Sequence, residues 1–188
     1  MSASSTDLGQ LLLARARQAI AHHLGYGAAP DTGDDARLAS RGATFVTLKK
    51  RGELRGCIGS LRAQRPLGED VVTNAIAAAS RDPRFPPVRT EELDEIEVEV
   101  SLLSEPEFLE FRDEPELLAQ LKPGEDGLIL FAGCRSATFL PQVWEQLPEP
   151  RDFLAALKHK AGMDPQRPVD GLMAARYHVR KWHEGDAA

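Results

Sequence analysis

Leu54-Arg55-Gly56-Cys57-Ile58-Gly59 sets one of only two cysteines between two glycines, next to an arginine. Gly56 and Gly59 add no bulk beside the thiol and leave it reachable, which a nucleophile, a metal ligand or a close ligand contact requires and a core-filling cysteine does not. Two plainer explanations compete at this level. Cysteine is among the residues most often buried, and glycine in a strand often marks only a bulge or a tight crossing. In an extended chain side chains alternate, so Arg55, Cys57 and Gly59 share one face and Leu54, Gly56 and Ile58 the other. Arg62 and Arg65 follow closely, and Arg81 and Arg84 return after one helix. Guanidinium groups gathered here would favour thiolate over thiol and recruit an anionic ligand, while Gly56 and Gly59 let backbone amides approach it. No histidine lies between His23 and His159, so a Cys–His pair would have to be assembled from the chain ends.

The candidate set is therefore Cys57 as nucleophile with Arg55 as its activating neighbour. Gly56, Gly59, Ser60, Arg81, Asp82 and Arg84 are the substrate-binding candidates, Asp82 orienting an arginine. Two alternatives stand beside it: a binding or adaptor surface whose thiol does no covalent work, and a structural role for the motif.

The elements that must position these residues read as hairpins interspersed with single helices. A first helix begins near Asp7, whose carboxylate can cap free amides, and buries Leu8, Leu12, Ala16, Ala19, Ile20 and Leu24 before Gly25. A flexible connection follows from Gly25 to Arg37. Ala43 to Lys49 and Glu53 to Leu61 make a hairpin about Arg51-Gly52, with the thiol on its second strand. A helix opens at Pro66, with Val72, Ile76 and Ala79 marking its apolar side, and stops at Asp82-Pro83. Arg81 to Pro87 is a rigid loop. Ile96, Val98, Val100 and Leu102 alternate with Glu97, Glu99 and Ser101, an antiparallel strand whose glutamates are expected on the solvated side. Beyond it come a short helix from Glu114 to Leu121, a strand from Gly127 to Ala132, and a hairpin return through Gly133-Cys134-Arg135 to Leu140. Pro141 to Leu147 is a helical piece with Trp144 as a core or interdomain anchor, Arg151 to Ala161 is an amphipathic helix, and Ala175 to His183 is a single last strand. The sum is an α+β fold, a largely antiparallel sheet with flanking helices and a smaller attached lobe.

Composition narrows the function. The 188 residues are 42% hydrophobic, enough for one good core, and the net charge of −6 argues against a nucleic-acid partner. Two cysteines make no disulfide framework, Met1 to Asp7 is too polar for a secretion signal, and no apolar run reaches bilayer length, so a cytoplasmic protein without a membrane partner is expected. His178 and His183 fall on opposite sides of a strand, and no metal-ligand spacing, P-loop or GxGxxG pattern is present, so neither metal nor cofactor is assigned.

The run LRGCIG, then Arg65-Pro66-Leu67, Arg81-Asp82-Pro83-Arg84-Phe85-Pro86-Pro87 and Glu97-Val98-Glu99-Val100-Ser101 resembles the AMMECR domain family, also called AmmeMemoRadiSam system protein A. Asp126-Gly127-Leu128-Ile129-Leu130, Ala137-Thr138-Phe139-Leu140-Pro141-Gln142-Val143-Trp144 and Lys160-Ala161-Gly162 extend the match in the same order, from about Phe45 to Gly162. The chain departs from the family where a cysteine often precedes Lys-Ala-Gly, carrying Leu157, Lys158 and His159 instead. The resemblance implies a single domain with a larger α+β lobe, a smaller lobe and a cleft between them. It also implies a functional association with a Memo-like protein and a radical S-adenosylmethionine (SAM) enzyme. Joined to the residues above, it gives the expectation of a cysteine-dependent enzyme acting on a small anionic substrate, with a non-catalytic ligand-binding or adaptor protein as the alternative.

Overall fold

The computed structural model describes residues 7–31 and 35–186. They form two compact units, one running through Leu103 and resumed from Arg180 on, the other Ser104–Val179. Both are built on antiparallel sheets carrying helices, so the chain is α+β.

The first unit holds α1 (Leu8–His23), the short α2 (Ala36–Ala39), β1 (Arg41–Lys50), β2 (Glu53–Gly59), β3 (Arg65–Pro66), α3 (Leu67–Ser80) and β4 (Ile96–Leu103). Its sheet runs in the order β2-β1-β4-β9, with β3 paired to the start of β1 and β9 (Val179–His183) on the far side of β4. β1 and β2 are joined by a two-residue turn in which Arg51 and Gly52 have φ of 53° and 81°, the left-handed pair whose twist suits a tight hairpin. One face of this sheet is apolar. Val46, Leu48, Ile96, Val98 and Val100 pack there with Leu12, Ala16, Ala19 and Ile20 of α1 and Val71, Ala75 and Ala78 of α3. Burying each of the larger aliphatic side chains contributes about 2 kcal/mol relative to leaving it in water.

Three expectations change. Asp7 is the N-cap of α1, but its side chain makes no capping bond; its backbone carbonyl accepts from Leu11 instead. The buried stripe of α3 runs through Leu67, Val71, Ala75, Ala78 and the expected Ala79, while Val72 and Ile76 pack against it half-buried at its edge. The last strand is two strands. β8 (Met173–Tyr177) pairs with β5 (Glu107–Leu109) and β6 (Gly127–Ala132) in the second unit, and after His178 the chain continues as β9 in the first.

The second unit has a sheet ordered β5-β8-β6-β7, from β5 (Glu107–Leu109), β6 (Gly127–Ala132), β7 (Arg135–Phe139) and β8, with α4 (Glu114–Gln120) and α5 (Pro150–Lys160). Its core gathers Leu117, Leu128, Leu130, Phe153, Leu154 and Leu157 around Trp144. The Trp144 ring stacks on Phe153 at 3.7 Å between centroids, and its Nε1 donates to the Asp126 carbonyl at 2.7 Å. Trp144 is thus a core residue of this unit, with its one polar atom satisfied. No described helix is long and apolar enough to cross a membrane.

Candidate functional site

Cys57 lies in β2, an edge strand, and its two surroundings are of different kinds. Across the sheet, β1 pairs Thr47 with Cys57, and β4 pairs Glu99 with Thr47, so the three side chains form one row on the face opposite the helices. Thr47 Oγ1 donates to Cys57 Sγ at 3.3 Å. The thiol is half-buried, Cys134 is exposed, and neither is in a disulfide among the described residues. On the outer edge of β2, the Cys57 amide donates to Asp82 Oδ2 at 2.8 Å and its carbonyl accepts a long bond from Arg84 at 3.5 Å. The loop after α3 therefore occupies the place of a further strand and satisfies an otherwise bare edge.

Asp82 is the pivot of that loop. It is 5% exposed, accepts from Arg84 Nε at 2.9 Å, Arg84 Nη2 at 2.7 Å and the Arg84 amide at 3.1 Å, and holds Cys57 as well. The Arg84 guanidinium first, then the amides of Cys57 and Arg84, hold its carboxyl well below the usual carboxylate range despite its burial. The same Asp82 carboxylate raises the Arg84 guanidinium above its ordinary value, with a smaller contribution from Cys57.

Arg55 clamps the other end of the same loop. Register shifts between Leu48 and Lys49, whose partners are Gly56 and Leu54, leaving Arg55 as the extra residue of a β-bulge. Strict alternation, which would lean Arg55 over the thiol, is broken at this residue. Its guanidinium forks onto Glu92 at 3.0 and 2.9 Å and donates to the Pro86 and Pro87 carbonyls at 2.9 and 3.4 Å. Glu92 is buried, also accepts from Lys50 and the Arg89 amide, and is held down to about 2, chiefly by Arg55.

The space at both glycines is filled by protein. A Cβ on Gly56 would lie 2.2 Å from the Ala78 carbonyl oxygen of α3, and one on Gly59 would enter the Phe45 ring at 2.2 Å. Ser60 belongs to a separate buried network: it donates to Asp70 Oδ1 at 2.7 Å, while Asp70 Oδ2 takes the Thr44 amide and hydroxyl at 2.8 and 2.7 Å and Asn74 at 3.0 Å. Arg65 reaches the same carboxylate at 3.1 Å. Arg81 is exposed, and its side chain has no hydrogen bond or ion pair among the described residues.

The structure thus joins Cys57, Asp82 and Arg84 directly and ties Arg55 to their loop. It adds residues that sequence reasoning passed over: Thr47, Glu92, Lys49 and Lys181. Glu99 is a correction, since the expected solvated carboxylate is 8% exposed and held between Lys49 and Lys181, each at 3.3 Å. Its neighbour Glu97 is exposed, 3.2 Å from His183. The signal available in sequence was Thr47-x-Lys49, Glu97-x-Glu99 and Lys181-x-His183 as alternating polar positions. Only strand order and register bring them to one face. No cluster of three or more His, Cys, Asp or Glu among the described residues is arranged to hold a metal ion. Chemically, the arrangement offers a reachable thiol with a hydroxyl donor on its sulfur, a locked backbone behind it and lysines on the same sheet face.

A family model described as AMMECR1 matches residues 13–182. A protein of Methanothermobacter thermautotrophicus is 42% identical, covering 96% of this chain and 96% of its own. One of Methanopyrus kandleri is 41% identical over 84% of this chain and 78% of its own. The crystal structure of an uncharacterised protein from Pyrococcus horikoshii is similar in fold, with a TM-score of 0.80 and 35% identity over 94% of this chain and 91% of that one.

Proposed function

Because the chain belongs to the AMMECR1 family, we propose that it is a cysteine-dependent enzyme acting on a small anionic substrate at the Cys57 face. The observation that carries this reading is the Thr47 hydroxyl donating to a half-buried Cys57 sulfur on the polar side of the sheet. A donor on sulfur stabilises the thiolate, the form that attacks. In the step proposed, the sulfur adds to an electrophilic carbon of the substrate's C=O or conjugated C=C bond, the π pair of that bond moves to its far atom and takes up the proton that the thiol releases through solvent, and an acyl phosphate then expels phosphate. Asp82 and Arg55 position the strand and loop, and Arg84 and the exposed Arg81 meet the substrate's negative charge. Gly56 and Gly59 keep the strand close to its neighbours, and Ser60 anchors its end. The substrate belongs to a pathway shared with a Memo-like protein and a radical SAM enzyme, a reading that rests on the family resemblance.

A second reading is favoured by one observation. Arg84 and Arg55 are each matched by a buried carboxylate, Asp82 and Glu92, so much of the local positive charge is already neutralised. On that reading the face is a ligand or adaptor surface and the thiol does no covalent work.

Incubation with a panel of carboxylated and phosphorylated electrophiles (aldehydes, acyl phosphates, enoates) separates the two. The enzyme reading expects a Cys57 adduct or substrate consumption by the native protein and neither with Cys57→Ser. Equal, non-covalent binding by both proteins would overturn it in favour of the second.

A further inference from the structure

Arg15 breaks the pattern of its helix. α1 presents Leu12, Ala16, Ala19 and Ile20 to the core, and Arg15 sits in the same buried stripe at 9% exposure. A guanidinium carries five N–H donors and is rarely placed so deep unless paired. Here its one hydrogen bond runs from Nη2 to the Asp31 carbonyl, and it makes no carboxylate pair among the described residues.

The side chain instead lines a cavity of about 380 Å³ in the first unit, within the size range of small-ligand sites. Its walls are mostly apolar: Pro30, Leu38, Ala39, Pro66 and Val72. Gly68 and Glu69, in the first turn of α3, complete the lining. That helix has Pro66 as its N-cap, with no side chain capping it. The Leu67 amide is taken by the Ser40 carbonyl, whereas the Gly68 and Glu69 amides have no partner among the described residues. A buried cation with spare donors and two free amides at the positive end of a helix converge on one greasy hollow. On α3 itself the negative groups are Glu69, exposed at the rim, and Asp70, whose carboxylate is already committed to Thr44, Ser60, Asn74 and Arg65.

We propose that this cavity is a binding site for a small amphipathic carboxylate, its head group on Arg15 and the first amides of α3, its apolar body against Leu38, Ala39 and Val72. The site is independent of Cys57. A carboxylate fits better than a neutral polar group because it alone satisfies several parallel donors with one planar head. A longer polymer does not fit a hollow of this volume.

The test is an NMR titration of the full chain with sodium hexanoate, using hexanamide as the uncharged analogue of equal length. Saturable shifts at Leu38, Gly68 and Val72 are expected with hexanoate, at least tenfold tighter than with hexanamide, the scale of a charge-assisted hydrogen bond. Arg15→Met should weaken hexanoate tenfold or more, and Arg15→Lys should restore part of the loss. Since Arg15→Met removes a buried side chain and can fail to fold, Ala39→Trp, at an exposed wall position, fills the hollow without touching the cation and should abolish binding. Equal affinity for acid and amide, binding indifferent to Ala39→Trp, or no saturable binding of hexanoate would each overturn the proposal.

Discussion

The two cysteines occupy hairpins of opposite construction. In the first unit, β1–β2 is irregular: a bulge at Arg55, a glycine pressed against the Ala78 carbonyl, and an edge closed by the carboxylate of Asp82. In the second, β6–β7 pairs without interruption from Leu128–Phe139 to Ala132–Arg135, and Cys134 is exposed at the turn. The regular hairpin is held by its core. Thr138 and Tyr177 bond each other at 3.0 Å beneath it, and Phe139 and Trp144 both contact Phe153. The irregular one rests on its core through Val46 and Leu48 and has paired charges at its outer edge besides, Arg55 on Glu92 and Arg84 on Asp82. Departures from ideal strand geometry gather around Cys57, where a regular ladder would leave no room for the loop that braces it.

The sharpest way to break that comparison is to substitute a glycine in each hairpin. Gly56→Ala drives a methyl against backbone 2.2 Å away, so urea unfolding should register a loss of about 3 kcal/mol or more. Gly133→Ala meets nothing within 4 Å and has only its φ of 59° to bear, a cost of about 1 kcal/mol. Equal costs would mean that Gly56 is not a packing glycine.

Asp82→Asn comes next. It removes the charge that holds Arg84 and weakens the acceptor for the Cys57 amide, for an expected loss of about 2 kcal/mol. The unpaired edge should also make the variant more prone to aggregate, which light scattering would detect.

The pH limits should divide between the units. Glu92 and Asp82 have folded pKa values below their unfolded ones, so their stabilisation is complete above about pH 4.5 and lost as pH falls towards 2. Tyr177 is shifted the other way. Burial pushes its hydroxyl up to about 12 from 10, so its contribution is complete below pH 10 and lost as pH rises through 12. Amide exchange should show the first unit opening first in acid and the second in alkali. The smallest effect is Tyr177→Phe, about 1 kcal/mol for its bonds to Thr138 and the Phe139 carbonyl, and it should blunt the alkaline limit alone.

What the sequence makes legible follows the range of the interactions involved. Arg51-Gly52 marks its turn, the alternation of Ile96 to Leu102 marks β4, and LRGCIG with RDPRFPP marks two segments that meet, all from neighbours in the chain. The bulge is not legible, because moving Arg55 out of register depends on Glu92 and the Pro86 carbonyl, more than thirty residues away. The break at His178 is hidden for a similar reason. The alternation of β8 runs on into β9 without a proline or glycine, and only the sheets that claim each half separate them. Glu99 looks solvated in an alternating strand; its burial depends on Lys49 and Lys181, supplied by strands on either side.

The central claim, that Cys57 is a primed and reachable thiol rather than a filler of space, is tested most directly by peptide-resolved alkylation. Native and urea-unfolded protein would be treated with iodoacetamide at pH 7, alongside Thr47→Val. The account predicts that Cys57 reacts faster in the native protein than in the unfolded chain, that Thr47→Val removes the advantage, and that Cys134 reacts at similar rates in both states. Slower alkylation of Cys57 in the native protein than in the unfolded chain would contradict it.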